Sequence, residues 1–308
     1  MRYSFISTLL KSAKKNPRIM LLTGDVGYSV FDTYSTELPA QYLNCGVAEQ
    51  NMTGVAAGLA IEGKIPFIYS IIPFVTMRNF EQIRNDICYQ NLPVKIVGVG
   101  SGFSYGPYAH THHALEDIAL MRSLPNMTIF SPSDPIETAF VIRASIKING
   151  PVYIRLGKTG EPELHEKTVK LKVGAGCIIH EGKDIAIFST GSITKTALDA
   201  AKILKRTGIN CCVVSMHTLK PLDKFLILKL AKHSRAMFSL EEHSVIGGLG
   251  STIAEILAEN QMRLLFRRIG VPDRFTNKVG NQEYMRIKNQ LSAKQVVTTI
   301  RKSLVEFV

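Results

Sequence analysis

A carboxylate at the head of a small-residue helix is the first group in this sequence with the means to do chemistry. In GVAEQNMTGVAAG (46–58), Glu49 opens a stretch rich in Ala and Gly. Such residues let a helix backbone come close to a neighbour or a ligand. A Glu in that place is also, more plainly, a favourable charge at a helix N-terminus. The apolar run PFIYSIIPF (66–74) follows and ends on Phe74, which offers an aromatic face to a planar ring. A carboxyl group beside a flat heteroaromatic ring in an apolar site can hold that ring in an unusual tautomer and exchange a proton with a ring nitrogen.

A second cluster lies in GSGFSYGPYAHTHHALEDIALMR (100–122), where His110, His112 and His113 follow a Gly-rich loop. HxHH lacks the carboxylate or Cys partners and the spacing of common zinc motifs. Two other readings stand beside a metal. The loop caps the next helix, with Thr111 as N-cap and Glu116 in its first turns, or neutral imidazoles bond a polyhydroxylated substrate. LEEHSVIGGLGS (240–251) looks like a phosphate loop, since a Gly cluster opens a helix there. It has no Lys after the last Gly, so it is not a P-loop, and no GxGxxG leads into a helix elsewhere.

The elements that must position these groups alternate. RIMLLTG, PFIYSI, VKIVGVG, TIFSPS and VYIRLG read as strands. EQNMTGVAAGLAIEG, NFEQIRNDICYQ, HALEDIALMRSLP and DPIETAFVIRASIKI read as helices between them. The N-terminal MRYSFISTLLKSAKKNPR reads as an amphipathic helix rather than a signal peptide. The polar stretch 159–172 reads as a linker. After it the alternation resumes with DIAIFSTG, a helix over 192–207, NCCVVSMHTL, a helix after Pro221, RAMFSLEEH and a helix opened by GGLGS. The fold class is α/β, in two tandem domains (1–158 and 173–308), each a mainly parallel sheet flanked by helices.

Composition narrows the function. At 308 residues and 45% hydrophobic, the chain has the size and core of two soluble domains. No apolar run reaches the roughly 18 residues of a membrane span. Five cysteines without CxxC spacing disfavour zinc and disulfide frameworks and fit a reducing cytoplasm. The net charge of +12 suits anionic ligands, an acidic partner face or a Lys-rich solvated surface. No nucleic-acid-binding motif accompanies it.

Taken in order, LTGDVGYS, NCGVAEQNMTGVAAGLA, PFVTMRNFEQIRND, LPVKIVG, THHALEDIALMRSLPNMTIFSPSDPIE, GPVYIRLGK, IFSTGS and LEEHSVIGGLGS resemble the transketolase family across the whole chain. The first half is similar to its thiamine diphosphate pyrimidine-binding domain and the second to its C-terminal domain. The pattern matches the C-terminal subunit of split transketolases, and deoxyxylulose-phosphate synthases share much of it. The resemblance implies thiamine diphosphate as cofactor. Glu49 would bond a nitrogen of the aminopyrimidine and favour the imino tautomer that deprotonates the thiazolium. Phe74 would stack on the pyrimidine, and Asp25 and Val26 would line the cofactor cleft. His112 would contact sugar hydroxyls, and Arg2, Ser29 and Lys158 would bind a sugar phosphate. Lys158 stands where an Arg is usual, keeping the charge but losing the bidentate fork. Arg78 and Gln82, in the helix behind the site, read as structural.

The sequence also departs from the family pattern. Gly100 and Tyr108 stand where transketolases carry a His and an Asp at the substrate end, and Ile71 and Met77 replace aromatics flanking Phe74. This points to an unusual donor or acceptor. The chain has GDV at 24–26 but no GDG, the family's metal-binding motif. It therefore carries no metal ligands of its own. Mg2+ or Ca2+ would sit on an N-terminal, GDG-containing diphosphate-binding partner, in an α2β2 heterotetramer acting on a sugar or sugar phosphate, and the chain alone would be inactive. The other readings are the β-subunit of a thiamine-dependent 2-oxoacid dehydrogenase, a synthase-type ketol condensation, and a degenerate binding module.

Overall fold

The structure, a computed structural model, describes residues 1–158 and 160–306. Thr159, where the expected linker begins, lies outside the described residues.

The first half runs α1 (Arg2–Ala13), β1 (Ile19–Thr23), α2 (Asp32–Glu37), β2 (Tyr42–Asn44), α3 (Glu49–Ile61), β3 (Ile65–Ile71), α4 (Ile72–Thr76) and α5 (Phe80–Gln82). It continues through β4 (Lys95–Val99), α6 (Asp117–Ser123), β5 (Thr128–Phe130), α7 (Pro135–Lys147) and β6 (Val152–Leu156). Neighbouring strand residues face opposite ways. Leu21, Phe67, Val97 and Ile154 join the core on one face, and Leu22, Ile68, Ile96 and Tyr153 join the core on the other. Burial on both faces is what their unbroken apolar runs predict for a parallel sheet. The expected helix over NFEQIRNDICYQ is α5 running into a π-helical turn, Ile83–Cys88.

The second half runs β7 (Cys177–His180), β8 (Ile185–Ser189), α8 (Thr194–Lys205), β9 (Cys211–Ser215), β10 (Thr218–Lys220) and α9 (Lys224–His233). It ends with β11 (Ala236–Ser244), α10 (Leu249–Glu259), β12 (Leu265–Val271), α11 (Gln282–Lys288) and α12 (Ala293–Glu306). The second sheet has the order β12-β11-β8-β9-β7, parallel except for the β7–β9 pair. The first has the order β10-β5-β6-β4-β3-β1-β2. Its outermost strand, β10, comes from the second half and pairs antiparallel with β5.

The halves are joined in depth as well as at this edge. One core cluster contains Ile68 and Ile96 of the first sheet together with Phe188 and Val214 of the second. Residues 160–172 form no helix or strand, but they are anchored. His165 Nδ1 lies 2.9 Å from Asp134 Oδ2, and its Nε2 lies 3.2 Å from Glu137 Oε1. Both carboxylates are buried, Asp134 as the N-cap of α7. They hold the imidazole as a cation, with its pKa pushed up to about 12 despite the opposing effect of burial.

Candidate active site

The site lies where open parallel sheets place ligands, at the carboxyl ends of the strands. Gly24 follows β1, Ser70 is the penultimate residue of β3, Gly100 follows β4 and Lys158 lies two residues past β6. Glu49 is the first residue of α3, and its side chain is buried. The loop before it is shaped by Asn44, whose Oδ1 accepts from Gly46 N at 3.0 Å while its Nδ2 donates to Asp25 Oδ1 at 2.9 Å. Glu49 Oε1 accepts from Ser70 Oγ at 2.8 Å, and Oε2 accepts from Arg78 Nη1 at 2.6 Å. A Cβ at Gly24 would sit 3.2 Å from Oε1, so the end of β1 stays close to the carboxylate because it has no side chain.

Arg78, read from the sequence as structural, supports the site directly. Its guanidinium bonds Glu49 and also lies 4.7 Å from the centroid of the Phe74 ring. One cation therefore joins the carboxylate and the aromatic. Buried charges need such partners, and Arg serves with its planar, always-charged group. Gln82 remains behind the site, with its Oε1 buried and unbonded.

Phe74 is half-buried in α4, and the His112 ring meets it edge-on at 5.1 Å. The three histidines diverge. His113 is buried, with Nε2 3.3 Å from Gly106 O and its ring against Phe103, whereas His110 faces Phe275. Among the described residues no group of three or more His, Cys, Asp or Glu side chains is placed to hold a metal ion. Burial lowers the His112 pKa, which favours the neutral imidazole. Thr111 is not a helix cap, because α6 starts at Asp117 with Glu116 at the N-cap position. Its hydroxyl instead donates to Tyr108 O at 3.2 Å and stands 3.0 Å from His112 Nδ1.

The loop over 100–116 is clamped to the second half. Phe103 and Leu115 enter the core beneath the second sheet, and Phe103 N donates to Glu242 Oε1 at 2.7 Å. Arg155 Nη2 donates to Ala114 O at 2.8 Å and to Glu242 O at 3.1 Å, while its Nε bonds Asp117 Oδ2 at 2.8 Å. Ala109, between Tyr108 and the histidines, has φ 62° and ψ −166°. That region is almost reserved for glycine, and a residue held there stores backbone strain.

Asp25 and Val26 line a cavity of about 160 Å3 with Thr23, Tyr28, Phe31 and Asn44. Ser29 lies in the same loop at φ 59°. Arg2, at the start of α1, lies close enough to Tyr69 and Tyr105 for its charge to act on both hydroxyls. Its Nε and the Tyr69 hydroxyl are buried without hydrogen-bond partners. Lys158 Nζ stands 4.7 Å from the Tyr105 ring centroid. Arg2 and Lys158 thus flank Tyr105, whereas Ser29 reaches this group only through its loop, where Phe31 packs edge-on against Tyr69 at 4.7 Å.

The GGLGS turn is already occupied. Glu241 of β11 accepts from Leu249 N and Gly250 N, both at 2.8 Å, at the N-terminus of α10. A Cβ at Gly248 would lie 2.0 Å from its Oε2. The helix start that resembles a phosphate loop is filled by the chain's own carboxylate.

A buried, doubly bonded carboxylate, a half-exposed aromatic face and a neutral imidazole on its edge fit a planar nitrogen heterocycle that carries a reacting centre towards His112. Comparison with known proteins gives the family of the chain. The transketolase pyrimidine binding domain matches residues 1–161, and the transketolase C-terminal domain matches residues 174–288. A putative transketolase C-terminal section from Methanocaldococcus jannaschii is 36% identical, over 98% of this chain and 96% of its own length. The 6-deoxy-6-sulfo-D-fructose transketolase subunit SqwH of a Clostridium species is 37% identical, over 96% and 92%. A solved split gene transketolase, described as an inactive beta4 tetramer, superposes with a TM-score of 0.89 at 40% identity, covering 99% of this chain and 97% of that one.

Proposed function

The chain belongs to the transketolase family, and from that premise we propose that it supplies the pyrimidine-binding half of a split thiamine diphosphate enzyme that moves a two-carbon ketol unit between sugars or sugar derivatives. The single observation that carries this reading is Glu49, buried at the head of α3 and connected through Arg78 to Phe74 and from there to His112.

Thiamine diphosphate, when bound, supplies the acidic carbon that takes up the ketol unit. Glu49, its two oxygens fixed by Ser70 and Arg78, would hold a hydrogen bond at a pyrimidine ring nitrogen. Phe74 would stack on the ring, and Asp25 and Val26 would border the cofactor. His112, neutral and steadied by Thr111, bonds a sugar hydroxyl through its free nitrogen. Arg2, Lys158 and Ser29 hold the anionic end of the sugar. The diphosphate and its Mg2+ or Ca2+ are held by a GDG-containing partner subunit in an α2β2 heterotetramer. The relatives named for sulfofructose and apulose 4-phosphate act on sugars with anionic ends, which favours the same class here. Five free cysteines suit a cytoplasmic, reducing setting.

The test is reconstitution with the diphosphate-binding subunit, followed by calorimetric titration of thiamine diphosphate and by ketol-transfer assays. Wild-type complex binds the cofactor and turns over, and Glu49→Ala loses turnover by at least 100-fold while remaining folded, as expected for a proton-transfer group. Unchanged activity in Glu49→Ala refutes its role. Turnover by the purified chain alone refutes dependence on a partner.

A further inference from the structure

The far end of the site is closed by a tyrosine that only a glycine can seat. Gly100 has φ +94°, and a Cβ built on it would lie 2.2 Å from Tyr105 Cδ2 and 2.3 Å from Cε2. The Tyr105 ring therefore lies against the bare backbone at the end of β4, filling the volume a side chain at position 100 would take. From there it contacts Tyr108 at 5.9 Å between centroids and His112 at 6.1 Å, and Tyr108 meets His112 at 5.1 Å. On its face stands the Lys158 ammonium, with the Arg2 charge nearby. Tyr105 thus sits between the neutral imidazole beside Phe74 and two cations at the far end. Arg2 also acts on the buried Tyr69 hydroxyl there.

We infer that Tyr105 is the specificity-determining residue of the substrate end: seated on Gly100, it shortens the site and holds Lys158 where the ammonium meets a phosphate or sulfonate at the end of a short sugar chain. This rests on the ketol-transfer reading above. The two devices act together. The ring sets the reach from the reacting carbon, and the ammonium on its face sets the charge accepted there. A lysine ammonium has three donors, so one held over an aromatic face still turns N–H groups away from the ring towards a ligand oxygen. Removing the ring releases a flexible four-carbon chain whose charge is then no longer fixed.

The experiment uses the reconstituted complex with the neutral donor L-erythrulose. The acceptors are D-glyceraldehyde, D-glyceraldehyde 3-phosphate and the corresponding 3-sulfonate. They share a three-carbon skeleton and differ only at the end the wall would read. Wild type prefers an anionic acceptor over the neutral one in kcat/KM, and the phosphate and sulfonate arms show which oxyanion it takes. Tyr105→Ala and Gly100→Ala, which remove or displace the ring, each lower that preference by about tenfold, through KM for the anionic acceptor. Their affinity for thiamine diphosphate, read by calorimetry, stays within about threefold of wild type. Tyr105→Phe, which keeps the face, retains the preference. Lys158→Met leaves the wall standing and loses the preference, so the proposal remains testable if the ring variants do not fold. An unchanged preference in Tyr105→Ala or in Lys158→Met overturns it. A wild-type complex that binds the cofactor yet transfers no ketol unit to any acceptor refutes the functional reading itself, and this inference with it.

Discussion

Replacing Arg78 by Met asks whether the cation holding Glu49 does so through charge. The carboxylate it holds is 1% exposed, whereas Arg78 itself is 41% exposed, and they meet at 2.6 Å. A hydrogen bond to a charged group contributes about 1.5–3 kcal/mol, and screening around the half-exposed guanidinium brings this to the low end, about 1.5 kcal/mol. The guanidinium over Phe74 adds about 0.5 kcal/mol at an exposed site. The free chain is therefore expected to lose about 2 kcal/mol, which lowers Tm by about 4–8 °C at roughly 2–4 °C per kcal/mol for a chain approaching this size. Scanning calorimetry reads the loss directly. A double-mutant cycle with Glu49→Gln isolates its cause. With the carboxylate neutralised, Arg78→Met should cost only about 0.5 kcal/mol, leaving a coupling of about 1.5 kcal/mol. Strictly additive losses refute the argument, because they would mean Arg78 stabilises through packing and not through the charge of Glu49.

Two further outcomes follow from groups away from the reacting centre. Burial pushes the Glu241 carboxyl up to about 7 from its ordinary 4.5, so the native state binds this proton more tightly than the unfolded state does. Its stabilising share is full below pH 4.5 and is lost as pH rises towards 7, by on the order of 3 kcal/mol. Glu241→Gln gives up one of two backbone acceptors and is less stable throughout, but its urea midpoint should not fall across that window, and wild-type and variant curves that run parallel refute the assignment. Ala109→Gly removes the strain at φ 62°, at the cost of a more flexible unfolded chain, for a net gain of about 1 kcal/mol. An unchanged or lower Tm by calorimetry refutes stored strain there.

How much can be read from sequence depends on how local the cause is. The five long strand runs of the first half show both-face burial in their own composition, so β1, β3, β4, β5 and β6 stand where VKIVGVG and its counterparts indicate. Strand β2 is three half-exposed or exposed residues, Tyr42–Asn44, and has no such run. Glu49, Phe74 and His112 stand out in the sequence because the motifs that carry them lie in a recognisable order, and in the structure Arg78 and then Phe74 connect them. The partner of Arg78 is not legible because it is 29 residues away and only the fold joins them. The occupant of the GGLGS turn, Glu241, likewise lies on the preceding strand, not in the turn. Tyr105 escapes notice in the sequence because its seat on Gly100 is a matter of the volume a side chain would fill, and a loop glycine is compatible with many backbone shapes that need no such neighbour.

The pairing of β10 with β5 has a consequence for how this chain comes to exist. Until residues 218–220 have been synthesised, β5 presents an open edge of unpaired N–H and C=O groups. The polar groups beneath that edge wait as well, since Ser131 N donates to His217 O at 2.9 Å and Ser215 Oγ to Glu137 Oε1 at 2.7 Å. The pyrimidine-binding half is thus finished by a segment made about 60 residues after its last own strand, a delay of some 3–12 s at ordinary rates of synthesis. A fragment cut in the 160–172 stretch would keep every residue of the carboxylate–aromatic–imidazole line and still carry a sticky edge. Gene dissection at the apparent domain boundary therefore yields aggregation, and a clean shortened version of this half must carry the 211–220 segment with it.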